Sequence, residues 1–148
     1  MFSQTAEHAL RALLYLARQP AEHPVTAEEI ARAIGAPANY LAKTLNALTK
    51  RRMVSGTRGP RGGFRLEVAP EELAVASVID AFDEPRERGV CLLGGRPCDD
   101  DAPCQAHARW QAMWAESLEP LRRTTLAELL DGETEVVVAG VGKIPAAL

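Results

Sequence analysis

The residues of this sequence best suited to bind a metal lie together in one short stretch. All three cysteines and one of the three histidines fall there, at Cys91, Cys98, Cys104 and His107. Thiolates select zinc, copper(I) or iron–sulfur iron, and imidazole suits zinc and iron. The intervening Gly, Pro and Asp residues disfavour a regular helix or strand, so the four side chains can converge on one centre. The stretch therefore predicts a metal site with three sulfur ligands and one nitrogen ligand.

Other interpretations of the cysteines are less favoured. Three unrelated reduced thiols would not explain why cysteine is absent from the rest of the chain. Disulfides are disfavoured because the count is odd and the first residues lack the features of a signal peptide. Zinc remains an alternative to an iron–sulfur cluster, because three cysteines and one histidine form a proper structural zinc set.

The chain must position this stretch within a small protein of 148 residues, which corresponds to one domain or a domain with an extension. No apolar run approaches the ~18 residues of a membrane span. We therefore expect a cytoplasmic protein, in which thiols stay reduced.

Charge is distributed very unevenly along the chain. The segment from Ile30 to Leu66 contains no Asp or Glu but holds eight of the 17 Lys and Arg residues, which leaves nine against all 20 acidic residues elsewhere. A basic module of this kind is typical of a protein that binds nucleic acid. A merely solvated basic face would be expected to contain interspersed acids.

Periodicity and capping signals predict three helices before and within the basic module. Apolar residues at three- and four-residue spacings indicate a helix over residues 4–18, capped by Ser3 or Thr5 and ended before Pro20. A capping box from Thr26 to Glu29 opens a second helix, which Gly35 ends. A third helix is expected over about residues 39–50.

The third helix has two contrasting faces, which together with the preceding turn indicate a helix-turn-helix. Its apolar face carries three leucines, at positions 41, 45 and 48. Amide and basic side chains occupy the other face: Asn39, Lys43, Asn46 and Lys50. Asn can pair bidentately with adenine, and Lys can reach guanine or phosphate, so this face is predicted to bind duplex DNA.

A β-hairpin is predicted after the third helix. Phe64, Leu66 and Val68 alternate with charged residues beyond a Gly- and Pro-rich turn. Arg58 and Arg61 would lie at the tip of this wing, where an Arg can enter a narrow minor groove. The glycines do not follow the GxxxxGK[ST] or GxGxxG patterns of nucleotide-binding loops.

The C-terminal half is predicted to contain a further helix from Pro70 to Phe82, a charged linker from Asp83, and a long helix from about residue 106. Both tryptophans lie on the apolar stripe of the long helix, and Pro120 should kink it or mark a new first turn. A second subunit is the favoured partner of this stripe; packing within the chain is the alternative. We place the boundaries at 1–82 for the winged helix-turn-helix, 83–107 for the cysteine loop, 108–131 for the dimerisation helix and 132–148 for a tail without assigned function.

Assembled in this way, the sequence resembles the Rrf2 family of bacterial winged-helix transcription regulators. The resemblance rests on Ala9–Ala17, on Ile30–Gly35 followed by Tyr40 and Leu41, on Arg58–Leu66, and on the cysteine loop. It implies a mainly α fold with a small β-wing, a long C-terminal dimerisation helix, a homodimer and a palindromic operator. With it, Tyr40 joins Asn39, Lys43, Asn46, Lys50, Arg58 and Arg61 as a DNA-binding residue.

The resemblance also implies that Cys91, Cys98 and Cys104 hold an iron–sulfur cluster, with [2Fe–2S] favoured over [4Fe–4S]. His107 has the spacing of the fourth ligand in the iron–sulfur-biogenesis regulators. Glu7 falls where nitric-oxide sensors supply a carboxylate from the partner subunit, and His8 is a weaker alternative suggested by a redox-sensing relative. Six residues separate Cys91 from Cys98, where the family commonly has five.

These features predict a DNA-binding transcription regulator, a repressor rather than an enzyme, whose operator affinity depends on a cluster that senses redox state, nitric oxide or cluster supply. One alternative is the same regulator with a zinc-filled or empty site. The other is a small iron–sulfur electron-transfer protein, which would leave the acid-free basic module unexplained.

Overall fold

The computed structural model describes residues 2–83, 101–131, 137–138 and 142–143. The helices are α1 (Gln4–Ala17), α2 (Ala27–Ile34), α3 (Ala38–Lys50), α4 (Val75–Asp80), α5 (His107–Arg123) and α6 (Leu126–Asp131); the strands are β1 (Val54–Thr57), β2 (Gly63–Leu66), β3 (Val137–Val138) and β4 (Gly142–Lys143). The predicted mainly α fold with a small β-wing is confirmed. No helix in the described ranges is both long and apolar enough to cross a lipid bilayer.

Helix α1 is positioned by its cap and by its apolar stripe. The Ser3 side chain accepts a hydrogen bond from the Ala6 N–H at 3.1 Å, so Ser3 rather than Thr5 is the N-cap. Six residues of the helix are buried, among them Leu13 and Leu16. The helix ends shortly before Pro20, as predicted, because proline disfavours the helical conformation in the residue before it.

The helix-turn-helix follows the predicted local signals. Thr26 and Glu29 form the expected capping box, and the hydrogen bonds from Thr26 to the Glu29 carboxylate lower the pKa of that group. Gly35 ends α2 at φ 69°, the left-handed region that glycine enters without steric cost. Helix α3 then buries Leu41, Leu45 and Leu48 completely.

Helix α3 ends in a left-handed turn at an arginine, whereas α2 ends at a glycine. Its backbone turns into the wing through Arg52, at φ 56°, the one non-glycine residue with positive φ among those the structure describes. The Arg52 N–H donates to the Thr49 carbonyl at 3.0 Å, and the Met53 N–H donates to the Leu48 carbonyl at 3.1 Å. This is the usual left-handed helix ending, but a side chain in that conformation costs about 1 kcal/mol that glycine avoids.

The wing is a short antiparallel hairpin with a third segment against it. Strands β1 and β2 pair with Val54 opposite Leu66 and Thr57 opposite Gly63. Val25, before α2, forms a two-way bridge with Phe64: their backbone N–H groups donate to each other's carbonyls at 2.9 and 2.7 Å. A Cβ on Gly63 would lie 2.7–2.8 Å from the Val25 backbone. The base of the wing is thus attached to the helical core at a position that excludes a side chain.

The C-terminal part differs from the predicted single helix. Helix α5 contains Pro120 and ends at Arg123, and Thr125 forms a β-bridge with Ala74 before α6 begins. The bridge draws the backbone out of the helix. Thr125 and Glu128 then cap the new helix through bonds of 2.8 and 3.3 Å. Because Leu126 of α6 is fully buried in the same core as α1–α3, residues beyond 123 complete the winged-helix core.

A further difference concerns the boundary of a predicted helix. Helix α4 begins at Val75, five positions after the predicted start at Pro70, because the Val75 N–H is bonded to the Thr124 carbonyl across the fold. In the tail, β3 and β4 pair with Val137 opposite Lys143.

Candidate nucleic-acid interface and metal ligands

The exposed face of α3 is available for a ligand. Asn39, Lys43, Asn46 and Lys50 are all exposed, on the side opposite the buried leucines. The amide groups supply hydrogen-bond donors and acceptors suited to base edges, and the ammonium groups supply positive charge for phosphate. The structure therefore brings together these four predicted DNA-binding residues on one helical surface.

Tyr40 is placed differently from its neighbours on α3. Its hydroxyl is hydrogen-bonded to the Thr5 hydroxyl, and its ring meets the His8 ring edge-on, with 5.6 Å between centroids and 74° between planes. The half-buried ring thus joins the first turn of α3 to α1. Tyr40 remains a predicted DNA-binding residue, but part of its surface is committed to the contact between the two helices.

The tip of the wing carries the two predicted arginines. Arg58 and Arg61 are both exposed in the turn between β1 and β2, where Gly59 has φ 110°. Behind the tip, the Arg65 side chain donates to the Ser55 hydroxyl at 3.2 Å, which links the two strands. The wing therefore presents two exposed guanidinium groups at its tip.

Two of the four predicted ligands in the cysteine stretch are described. Cys104 is half-buried, and His107 is the first residue of α5, with its backbone N–H donating to the Cys104 carbonyl at 3.0 Å. A single backbone turn immediately before α5 thus links Cys104 to His107. Cys91 and Cys98 lie outside the described residues, and within the described ranges no group of three His, Cys, Asp or Glu side chains is arranged to hold a metal.

The alternative fourth ligands lie side by side in α1. Glu7 is exposed and forms an ion pair with Arg11, one turn further along the helix. His8 is half-buried, and its Nδ1 is buried without a hydrogen-bond partner among the residues described. Recruitment of Glu7 as a ligand would require its carboxylate to exchange Arg11 for the metal.

Asp83, predicted to begin a charged linker, is buried and contacts α1. It is 3% exposed, and its carboxylate accepts hydrogen bonds from the Ser3 backbone N–H at 3.1 and 3.3 Å. The neighbouring Phe82 ring lies 5.8 Å from the guanidinium carbon of Arg51, just after α3. The chain leaving α4 is therefore tied to both α1 and the end of α3. No local pattern identifies this, because Asp83 adjoins a run of charged residues.

A helix-turn-helix followed by a basic β-wing defines a winged-helix DNA-binding protein, and comparison with known proteins agrees. Residues 2–132 match the family Rrf2, described as an iron-dependent transcriptional regulator. The chain belongs to the Rrf2 family, as the sequence resemblance predicted.

Individual relatives extend over most of the chain. An HTH-type transcriptional regulator of Aquifex aeolicus is 34% identical over 135 residues, covering 90% of this chain and 93% of the relative. The HTH-type transcriptional regulator IscR of Erwinia tasmaniensis is 33% identical, covering 89% and 79%. Among solved structures, T. potens IscR has a TM-score of 0.70 at 25% identity, covering 91% of this chain and 89% of that one. The protein is thus a DNA-binding transcriptional regulator and not an enzyme.

Proposed function

We propose that this protein is a cytoplasmic repressor whose affinity for its operator is controlled by an iron–sulfur cluster bound to Cys91, Cys98, Cys104 and His107. The observation that carries the proposal is the Cys104–His107 turn at the start of α5, in the same chain as an exposed basic DNA-binding face. The cluster would sense redox state, nitric oxide or cluster supply.

The donor set fits such a group. Three thiolates and an imidazole are ligands of [2Fe–2S] centres, and replacing a thiolate by imidazole changes the reduction potential. The half-buried Cys104 would be partly shielded from solvent, and the turn that joins it to His107 holds both residues at one end of a helix. We favour [2Fe–2S] over [4Fe–4S].

The DNA-binding unit is proposed to be a homodimer on a palindromic operator. Two α3 helices would enter successive major grooves about 34 Å apart, with the wings in the flanking minor grooves. In support, an open apolar cavity of about 370 Å³ lies between α1, α4 and α5, lined in part by Phe2, Leu10, Ile79 and Leu121. Phe2 is 41% exposed there, and Met113 on α5 is 47% exposed. A second copy would cover such surfaces.

A zinc-filled or empty site is the second candidate, because a Cys3His set also suits structural zinc. The experiment that separates the candidates is anaerobic purification followed by visible absorption, iron and sulfide analysis, and DNA binding before and after exposure to oxygen or nitric oxide. A coloured protein whose DNA affinity changes as the colour is lost supports the proposal. A colourless, zinc-loaded protein with unchanged affinity contradicts it.

The identity of the fourth ligand can be tested by two variants. We expect His107→Ala to shift the absorption spectrum and reduce cluster retention by about tenfold or more, because the loss of a ligand exposes one iron to solvent. Glu7→Gln should leave both unchanged, because the Glu7 carboxylate is already paired with Arg11. The opposite pattern would assign the fourth ligand to α1.

The exposed arginines of the wing lead to a separate prediction. Arg58→Ala should weaken DNA binding by about tenfold, because one exposed guanidinium that contacts DNA is lost, while the absorption spectrum stays unchanged. Arg123→Ala removes an exposed arginine from the end of α5 and serves as the control. Fluorescence anisotropy with labelled duplex DNA measures the affinity of both variants. Equal loss of binding and colour in Arg58→Ala would contradict the separation of the DNA-binding and cluster-binding parts.

A further inference from the structure

We infer that Arg52 is a contact to the DNA phosphate backbone, placed at the edge of the major groove by the left-handed turn that ends α3. The observation that carries this inference is its backbone conformation. Arg52 is the one non-glycine residue with positive φ in the part of the chain that the structure describes, and its side chain is exposed.

The strain at Arg52 is not required by the fold, because a glycine would adopt the same backbone conformation without it. Helix α2 ends in the same left-handed region at Gly35, φ 69°, where no side chain has to be accommodated. The ending of α3 at Arg52, φ 56°, would likewise be less strained with glycine. Side chains held in the left-handed region are concentrated at functional sites, where the surroundings compensate the strain. The contrast between two consecutive helices indicates that the Arg52 side chain has a role.

No contact within the described protein accounts for the side chain. The ion pairs among residues 2–83 and 101–131 are Arg11–Glu7 and two pairs to Glu119, and none involves Arg52. Its neighbour Arg51 stacks on Phe82. Favourable interaction with the negative end of α3 is already provided by Lys50 and Arg51 and does not require a third cation. The Arg52 guanidinium thus remains available to an external anion.

The position of Arg52 at the end of α3 indicates that this anion is a DNA phosphate. This inference rests on the proposed placement of α3 in the major groove. The 13 residues of α3 span about 20 Å, whereas the major groove is about 12 Å wide. The end of the helix therefore extends to the phosphates that border the groove. Arg52 follows Lys50, the last residue of the exposed basic face, and precedes the wing.

Three substitutions of Arg52 separate charge from backbone strain. Arg52→Gly should raise the melting temperature by about 3 °C and weaken DNA binding by about fivefold. Arg52→Asn tolerates positive φ without charge, so it should weaken binding to the same extent. Arg52→Lys retains both charge and strain, and both its affinity and its melting temperature should remain close to those of the unmodified protein.

The probes are duplex DNA from upstream of the protein's own coding sequence and a mixed-sequence duplex of equal length. A phosphate contact carries no sequence information, so Arg52→Gly should weaken binding to both duplexes by the same factor. The slope of the logarithm of the binding constant against the logarithm of the salt concentration should become shallower by about 1 for each Arg52 in contact. Asn46→Ala, by contrast, should reduce the preference between the two duplexes.

The result that overturns the inference is a more stable Arg52→Gly protein with unchanged affinity and salt dependence, while Lys43→Ala still weakens binding. In that case α3 binds DNA but Arg52 does not contact it. If Lys43→Ala also leaves binding unchanged, the proposed DNA-binding face is wrong, and the assignment of Arg52 falls with it.

Discussion

Replacing Cys104 by alanine is expected to abolish the visible absorption of the anaerobically purified protein and the response of its DNA affinity to oxygen or nitric oxide. Of the three proposed thiolate ligands, Cys104 is the one within the described residues, and a backbone turn joins it to His107. A cluster that loses one thiolate is no longer held by a complete ligand set. In the unmodified protein we expect a change in affinity of about tenfold or more, the usual size of coupling between two sites; in Cys104→Ala it should be less than about twofold.

The matched control is Gln105→Ala, which alters the exposed neighbour of Cys104 and should leave colour and response unchanged. Circular dichroism and thermal unfolding establish that Cys104→Ala is folded. A variant that keeps the absorption spectrum would show that Cys104 is not a ligand. A variant that loses the cluster but still responds to oxygen would place the sensor elsewhere in the chain.

Gly63→Ala is expected to detach the wing from the segment that precedes α2. The new Cβ would lie 2.7–2.8 Å from the backbone N, C and O of Val25, so the two-way bridge between Val25 and Phe64 must open. Overpacking of this kind typically costs about 1–3 kcal/mol, and the melting temperature should fall by several degrees. DNA affinity should fall by about tenfold, because the hairpin that carries Arg58 and Arg61 is no longer attached to Val25.

Gly56→Ala is the control for this substitution. Gly56 pairs with Phe64 from the other strand, and a Cβ there would meet the Phe64 ring at 3.3 Å, a contact that a small movement of the side chain relieves. Its effects on stability and binding should be much smaller than those of Gly63→Ala. Equal effects in the two variants would mean that attachment of the wing to Val25 is not what positions the arginines.

Much of the DNA-binding part was predictable from local signals. The capping box of Thr26 and Glu29, the glycine after α2, and the apolar stripe of α3 act within one or two helical turns, and each was found where expected. The alternation around Phe64 and the Gly-rich turn predicted the hairpin. Together with the charge distribution, these patterns were enough to predict a winged-helix DNA-binding protein.

The remaining features depend on residues that are far apart in the chain. The bridge between Ala74 and Thr125 divides the predicted single C-terminal helix into α5 and α6. Asp83 is buried because it accepts hydrogen bonds from Ser3, 80 positions earlier. Tyr40 packs against His8 and Thr5 of a different helix. Neither periodicity nor composition carries this information.

The difference between the features that the sequence predicted and those that it did not has a physical basis. Residue spacing alone predicted the helix-turn-helix, the wing and the basic face, because caps, turns and amphipathic periods are set by residues that are neighbours in the chain. The tertiary structure decided which charged group is buried and where the last helices divide. Those outcomes depend on hydrogen bonds and packing between distant segments, which exist only once the chain has folded.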